Sequence, residues 1–121
     1  RVPAKISFIG HSLGNLVIRA LVADKRFASL TPRLFTFLSL CGPHLGTLFA
    51  TNSIVNFGMW LMQKWKKSES LAQLSLRDNP DFKKTFLYKL SKKPCFEHFK
   101  NILLMASPQD HYAPVHSARI E

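Results

Sequence analysis

"KISFIGHSLGNLVIRALV", residues 5–22, is the stretch on which the interpretation of the fold depends. Its first half is typical of a short buried strand, because Ile6, Phe8 and Ile9 stand between Lys5 and a glycine. Apolar residues then recur with the spacing of one helical face, at Leu13, Leu16, Val17, Ala20 and Leu21. The pattern predicts a strand, a glycine-rich turn and a helix in succession.

The turn contains Ser12 between Gly10 and Gly14, with His11 as the variable residue. This Gly-x-Ser-x-Gly spacing is typical of a nucleophile elbow, in which a sharp strand-to-helix turn exposes the serine hydroxyl. We expect that a Cβ at either glycine would collide with a neighbouring element. The backbone N–H of Leu13 would face a developing oxyanion at the positive end of the helix. The alternative is that Ser12 only caps the helix.

Two further strands and a helical insert complete the predicted order of elements. A second strand is expected from about 34 to 40, ended by Gly42 and Pro43, and a third from about 102 to 106. Between them we predict helices over 70–76 and 80–92, the second with an apolar face formed by Phe82, Phe86, Leu87 and Leu90. Strands that alternate with helices indicate an α/β fold with a parallel sheet, and no second domain or repeat is evident.

The chain is strongly basic, with 17 Lys and Arg against seven Asp and Glu among 121 residues and a net charge of +10. The segment 64–93 contains nine basic residues and three acidic ones. This segment is read as a solvated helix surface, or else as a surface for an anionic membrane or an acidic partner. No nucleic-acid-binding motif is present, so no nucleic acid is expected as a partner.

Cysteine content and hydropathy suggest where the protein works. Cys41 and Cys95 are too few for a disulfide framework, which favours a reducing, cytoplasmic location. The apolar run 57–61 is far shorter than the ~20 residues that span a bilayer. No signal peptide is recognisable, and the chain begins at Arg1 without an initiator Met. We therefore expect residues 1–121 to be a piece of one catalytic domain.

Three motifs in order carry a family resemblance: "FIGHSLGNLVIRA", "LSLCGPHLGT" and "LLMASPQDHYAPVHSA". They resemble the lipase-like serine esterases of the α/β-hydrolase superfamily, and most closely the esterase domain at the C-terminal end of the family-with-sequence-similarity-135 proteins. The resemblance covers essentially the whole chain. It implies a partial α/β-hydrolase fold and the hydrolysis of carboxylic or lipid esters through a Ser-His-Asp triad and an acyl-enzyme.

The resemblance assigns Ser12 as nucleophile, the Leu13 N–H as an oxyanion donor and Asp110, just past the third strand, as the acid. A carboxylate there would orient a histidine and stabilise its charged form. The alternative for Asp110 is an ordinary turn residue. His111 and His116 follow too closely to leave room for the further strand that precedes the base in this superfamily. We therefore expect the base, the last strand and the upstream strands to lie outside residues 1–121.

The remaining histidines and both cysteines have competing interpretations. His11 is expected to pack or shape the turn, and His44 to be architectural, with contact to a substrate pocket as the minority view. Cys41-x-x-His44 and Cys95-x-x-His98 imitate a zinc set. Because they belong to separate elements, no metal site is predicted, and the proposed chemistry requires no organic cofactor.

Two functions remain open from the sequence. The first is a serine hydrolase whose segment 55–67, aromatic and then basic, lies where a lid or acyl-chain wall would be, with peripheral membrane contact. The second is a non-catalytic module of the same fold that binds a membrane or protein partner through its basic insert. Substrate, chain length and oligomeric state are not predicted.

Overall fold

The computed structural model describes residues 4–47, 69–110 and 112–121. The predictions for the aromatic and basic segment 55–67, and for His111, lie outside the described residues.

A three-stranded parallel sheet forms the centre of the described structure. Its strands are β1 (Ile6–His11), β2 (Leu34–Leu40) and β3 (Asn101–Met105), in the order β1-β2-β3. The predicted α/β arrangement with a parallel sheet is confirmed. The bounds of β2 agree with the predicted ones, whereas β3 begins and ends one residue earlier than expected.

The helices of the described residues lie between and after the strands. They are α1 (Gly14–Val22), α2 (Glu69–Leu74), α3 (Phe86–Ser91) and α4 (Val115–Arg119). Within the same ranges, four short 3₁₀ turns accompany them, at Lys25–Phe27, Thr31–Arg33, Phe82–Lys84 and Phe96–His98. Among the described residues, no helix has the length and apolar character needed to cross a membrane.

The helix predicted over 80–92 is divided in the structure. Its first part is the 3₁₀ turn Phe82–Lys84, where the Lys83 N–H donates to Asp81 Oδ1 at 3.0 Å. Thr85 is extended, with φ −63° and ψ 153°, and its hydroxyl donates to the Phe82 carbonyl at 2.7 Å. Side-chain and backbone contacts of this kind compete with helix continuation, so α3 starts only at Phe86. The predicted apolar face is correspondingly interrupted, and Phe82 is exposed.

The buried side of α1 differs from the apolar face read from the sequence. Leu16 is buried as that pattern suggests, but Val17 and Leu21 are exposed, Val17 to 62%. The buried residues of α1 are Asn15, Leu16, Arg19 and Val22. This side includes two polar residues because it packs against the polar ends of β2 and the following turn, as the contacts below describe.

Two apolar clusters surround the sheet and helices. The first centres on Phe37 of β2, whose ring stacks on those of Phe99 and Phe96 with centroids 5.4 and 5.9 Å apart. The second holds α2 and α3 against α1 through Leu16, Leu74, Leu87 and Leu90.

Candidate active site at the carboxyl edge of the sheet

The candidate residues follow the carboxyl ends of the three parallel strands. Ser12 comes after β1, Cys41 after β2 and Asp110 in the loop after β3. The Ser12 N–H donates to the Leu40 carbonyl at 2.9 Å, and the Cys41 N–H donates to the Met105 carbonyl at 2.8 Å. These bonds continue the sheet ladder by one residue and bring the turns to the same edge, where open parallel sheets commonly bind ligands.

Ser12 occupies a strained position in the turn. Only Ser12 and Leu13 separate β1 from α1, and Ser12 has a φ of 50°. This left-handed conformation costs about 1–2 kcal/mol for a residue with a Cβ, so surrounding contacts must hold it. No hydrogen bond to the Ser12 hydroxyl is present within the described parts of the chain, and no side chain caps α1. Capping, the alternative interpretation of Ser12, is therefore wrong.

Asn15 holds this turn from inside. Its side chain is fully buried, and Nδ2 donates to the Ser12 carbonyl at 3.0 Å and to the Leu40 carbonyl at 3.3 Å. The Asn15 N–H adds a third bond, to the Ser12 carbonyl at 3.1 Å. The sequence interpretation missed Asn15, although a polar residue between Gly14 and Leu16 was a usable signal.

The two glycines of the motif differ in the space available for a side chain. A Cβ on Gly10 would lie 2.2 Å from Asn15 Oδ1 and 2.9 Å from Ile18 Cδ1, so no side chain fits there. A Cβ on Gly14 would meet nothing within 4 Å among the described residues. The expected collision is found at Gly10, whereas no described atom would collide with a Cβ at Gly14.

The N–H of Leu13 is free to act as a donor. Leu13 has helical backbone angles, φ −55° and ψ −30°, and directly precedes α1. Its N–H has no acceptor among residues 4–47, 69–110 and 112–121. The first N–H groups of a helix lack intrahelical partners and carry partial positive charge, which suits a developing oxyanion.

Asp110 is an ordered, ionised carboxylate. Its Oδ1 accepts the N–H groups of Tyr112 at 2.8 Å and Ala113 at 3.1 Å. Partial burial opposes ionisation, but these two bonds, the Cys41 thiol and the nearby His11 together hold the pKa of Asp110 below its ordinary value. Asp110 therefore does form a turn, as the alternative interpretation expected, and this does not prevent it from orienting a histidine.

Cys41 lies in the turn after β2, between the turns that contain Ser12 and Asp110. It was not recognised as a site residue from the sequence. It has a φ of 49°, and its thiol lies close enough to the Asp110 carboxylate for each group to shift the pKa of the other. Burial, together with the hydrogen bond and negative charge of Asp110, raises the pKa of Cys41. Cys41 is therefore a thiol at neutral pH and a poor nucleophile.

His44 belongs to a buried polar cluster with Arg19 and Ser39. His44 is 3% exposed; its Nε2 lies 2.8 Å from Ser39 Oγ, and its Nδ1 lies 3.5 Å from Arg19 Nη1. Because a guanidinium only donates, Nδ1 accepts, and the proton of the neutral ring sits on Nε2 and is donated to Ser39. A Cβ on Gly42 would lie 2.7 Å from both His44 Nε2 and Ser39 Oγ.

His44 and His11 have different environments. Burial, reinforced by the charge of Arg19, lowers the pKa of His44 to about 4. With both ring nitrogens engaged, His44 is poorly suited to accept a proton from Ser12. His11 was expected to pack or to shape the turn; it is exposed, so packing is wrong, while a role in shaping the turn stays a prediction. It lies close enough to Asp110 to help lower the pKa of that carboxyl.

The zinc-like set is not assembled in the described part of the chain. Cys95 lies in the apolar cluster around Phe37, where burial raises its pKa to about 11. Cys41 lies beside Asp110, and His44 contacts Ser39 and Arg19. No group of three or more His, Cys, Asp or Glu side chains among these residues is placed to hold a metal ion.

A comparison with protein families identifies a family to which the chain belongs. The model of the family described as "Putative serine esterase (DUF676)" matches residues 1–120. No solved structure matches the chain.

Proposed function

Because the chain belongs to this serine esterase family, we propose that it hydrolyses carboxylic esters with Ser12 as the nucleophile. The observation that carries the proposal is the backbone of Ser12, held at a φ of 50° in a two-residue turn between β1 and α1 with no partner on its hydroxyl among the described residues. Strain of this kind persists only where surrounding contacts impose it, and it is concentrated at functional sites. Asn15 supplies those contacts.

In the proposed reaction, Ser12 Oγ attacks the ester carbonyl while a histidine takes its proton. The negative charge of the tetrahedral intermediate forms beside the free N–H of Leu13. The histidine then returns the proton to the leaving alcohol, and an acyl-enzyme on Ser12 remains. Water, deprotonated by the same histidine, releases the acid and restores the serine.

Asp110 is the proposed partner of that histidine. Its pKa is held low by backbone N–H groups, so it stays ionised at neutral pH and stabilises the imidazolium formed during transfer. In the superfamily that the motifs resemble, a further strand separates the acid from the base, so we propose that the base lies in a segment after that strand. His44, with both ring nitrogens engaged, does not replace it. We expect the bare 121-residue chain to hydrolyse esters weakly, since a serine without a base is a poor nucleophile.

The finer features of the proposal rest on the motifs. We propose an α/β-hydrolase fold, a lipid ester as substrate and closest kinship to the family-with-sequence-similarity-135 esterase domains. A cytoplasmic location agrees with the two free cysteines among the described residues.

The test uses a fluorophosphonate probe and p-nitrophenyl esters of increasing acyl length on the complete protein. We expect the probe to label the wild type and the Ser29→Ala variant, which changes an exposed serine outside the turn. Ser12→Ala should abolish labelling and turnover. A folded protein that turns over esters equally well after Ser12→Ala would overturn the proposal.

A second candidate function, membrane binding without catalysis, is favoured by one observation. Lys83, Lys89, Lys92 and Lys93 surround a cavity of about 430 Å³ whose remaining wall is mostly apolar. Apolar surface with a basic rim suits an anionic lipid interface. Binding to vesicles with 30% phosphatidylserine should fall at least tenfold in Lys83→Glu/Lys89→Glu, and Lys25→Glu, on a different 3₁₀ turn, is the control. Equal binding to neutral vesicles would remove this candidate.

A further inference from the structure

Arg19 is a buried cation without a counter-charge in this chain. It is 6% exposed, and the hydrogen bonds it makes come from Nη1, to the carbonyl and Nδ1 of His44 at 3.2 and 3.5 Å. Its Nε is buried without a partner among the described residues. All seven acidic residues of the chain lie in the described ranges, and none of them forms an ion pair with Arg19. Arg19 Cζ also lies 4.9 Å from the centroid of the Phe96 ring, a cation–π contact that does not neutralise the charge. Buried cations are usually paired with an anion, so this one requires explanation.

Arg19 lines a cavity of about 360 Å³ between α1 and the segment that follows α3. Lys92 and Lys93 also line it, and Glu97 is the acidic residue in its wall. Glu97 Oε2 already accepts the Cys95 N–H at 3.0 Å. Because His44 is neutral above about pH 4, the wall carries three positive charges against one negative charge. The cavity therefore favours an anion.

A second cavity of about 240 Å³ adjoins the first. The two share three wall residues: His44, Leu45 and Ser91. The walls of the second cavity are largely apolar side chains, Leu76, Phe82, Leu87 and Tyr88 among them. A cationic end that continues into an apolar one matches a molecule with a charged head and a hydrocarbon chain.

We propose that the two cavities form one binding site for a single-chain amphiphile with an anionic head group. The carboxylate or phosphate of the head lies against Arg19 and Lys92, where a guanidinium and an ammonium donate charge-assisted hydrogen bonds. The chain passes Leu45 and lies against Leu76 and Leu87. Neither cavity is lined by Ser12, Leu13 or Asp110, so the site does not depend on the proposed hydrolysis.

Calorimetric titration of the complete protein with decanoate and decyl phosphate, each below its critical micelle concentration, tests the site. Both should bind at least ~10-fold more tightly than decanol, which lacks the charge, and than acetate or inorganic phosphate, which lack the chain. The tighter of the two anionic amphiphiles identifies the head group. Decanol binding as tightly as decanoate, or acetate binding as tightly, would overturn the proposal.

Variants locate the binding. Leu45 lies at the junction of the cavities and is exposed, so Leu45→Glu and its uncharged match Leu45→Gln should both fold. We expect Leu45→Glu to weaken decanoate binding at least ~10-fold more than Leu45→Gln does. Arg19→Met should lose binding as well, whereas Lys25→Gln, at an exposed position in the wall of neither cavity, should keep it. Equal affinities for the two Leu45 variants would show that decanoate binds elsewhere.

Discussion

The turns after β1 and β2 have nearly the same backbone and quite different side-chain chemistry. Ser12 and Cys41 have φ angles of 50° and 49°, and the N–H of each donates to the last residue of the neighbouring strand. The Ser12 hydroxyl has no described partner, whereas the Cys41 thiol is near the Asp110 carboxylate, which together with burial raises the pKa of the thiol. A left-handed residue at a strand end therefore does not by itself make a nucleophile, and its surroundings decide its role.

The largest effect is expected from removal of the Ser12 hydroxyl. In the complete protein, Ser12→Ala should lower kcat/KM for ester hydrolysis by about 10³-fold or more, because no acyl-enzyme forms. Cys41→Ala should stay within about tenfold of the wild type, since the thiol does not react. The measurement is p-nitrophenyl ester turnover, with circular dichroism to verify folding. Comparable losses in the two variants would mean that the turns act together.

A second prediction concerns the buried His44. The unfolded chain protonates His44 near pH 6.5 and the folded chain only near pH 4. Between these values the unfolded state binds more protons, so the free energy of unfolding decreases as pH falls from 6.5 to 4. The decrease attributable to His44 is about 3 kcal/mol.

Urea denaturation at several pH values measures this decrease. His44→Phe should flatten the dependence on pH across that window, whereas Ser29→Ala, at an exposed position without a titratable group, should leave it unchanged. A dependence that persists unchanged in His44→Phe would assign the protonation to another group.

The third prediction compares the two glycines that flank Ser12. Gly10→Ala places a Cβ against Asn15 and should lower the free energy of unfolding by about 2 kcal/mol. Gly14→Ala meets no described atom and replaces a glycine at the start of α1 by a good helix former. It should be neutral or stabilising by up to about 1 kcal/mol. Urea denaturation of the two variants provides the comparison, and equal destabilisation would contradict the difference between the glycines.

The sequence predicted the local elements well because their signals are local. The limits of β2 follow from the apolar run that ends before Gly42, and the β1 turn follows from the glycines around Ser12. The helix over 80–92 was predicted as one piece, since apolar spacing does not reveal that Thr85 and Asp81 bond the backbone in competition with helix formation.

The supporting residues of the site were missed because their contacts are distant in sequence. Asn15 bonds Leu40, 25 residues away, and Arg19 reaches His44 across the same separation. Cys41 meets Asp110 only because β2 and β3 are neighbours. The predicted face of α1 failed for the same reason, since polar partners near β2 bury Asn15 and Arg19 while Val17 stays exposed. Periodicity alone carries no information on such pairings.

The smallest predicted effect concerns the link between the Cys41 turn and Asp110. Cys41→Ala removes one donor from the carboxylate but leaves the N–H groups of Tyr112 and Ala113, so the pKa of Asp110 should rise only slightly and stay below its ordinary value. In Cys41→Ser a donor remains, so the pKa of Asp110 should rise less than in Cys41→Ala. An NMR titration of the Asp110 carboxyl carbon distinguishes the variants.

If Cys41→Ala leaves this pKa unchanged, the thiol does not stabilise the carboxylate, and the two left-handed turns are related in backbone geometry alone. If Cys41→Ala raises it and Cys41→Ser does not, the turn after β2 helps to lower the pKa of Asp110 while the turn after β1 presents Ser12. The shared backbone would then serve two separate parts of one site.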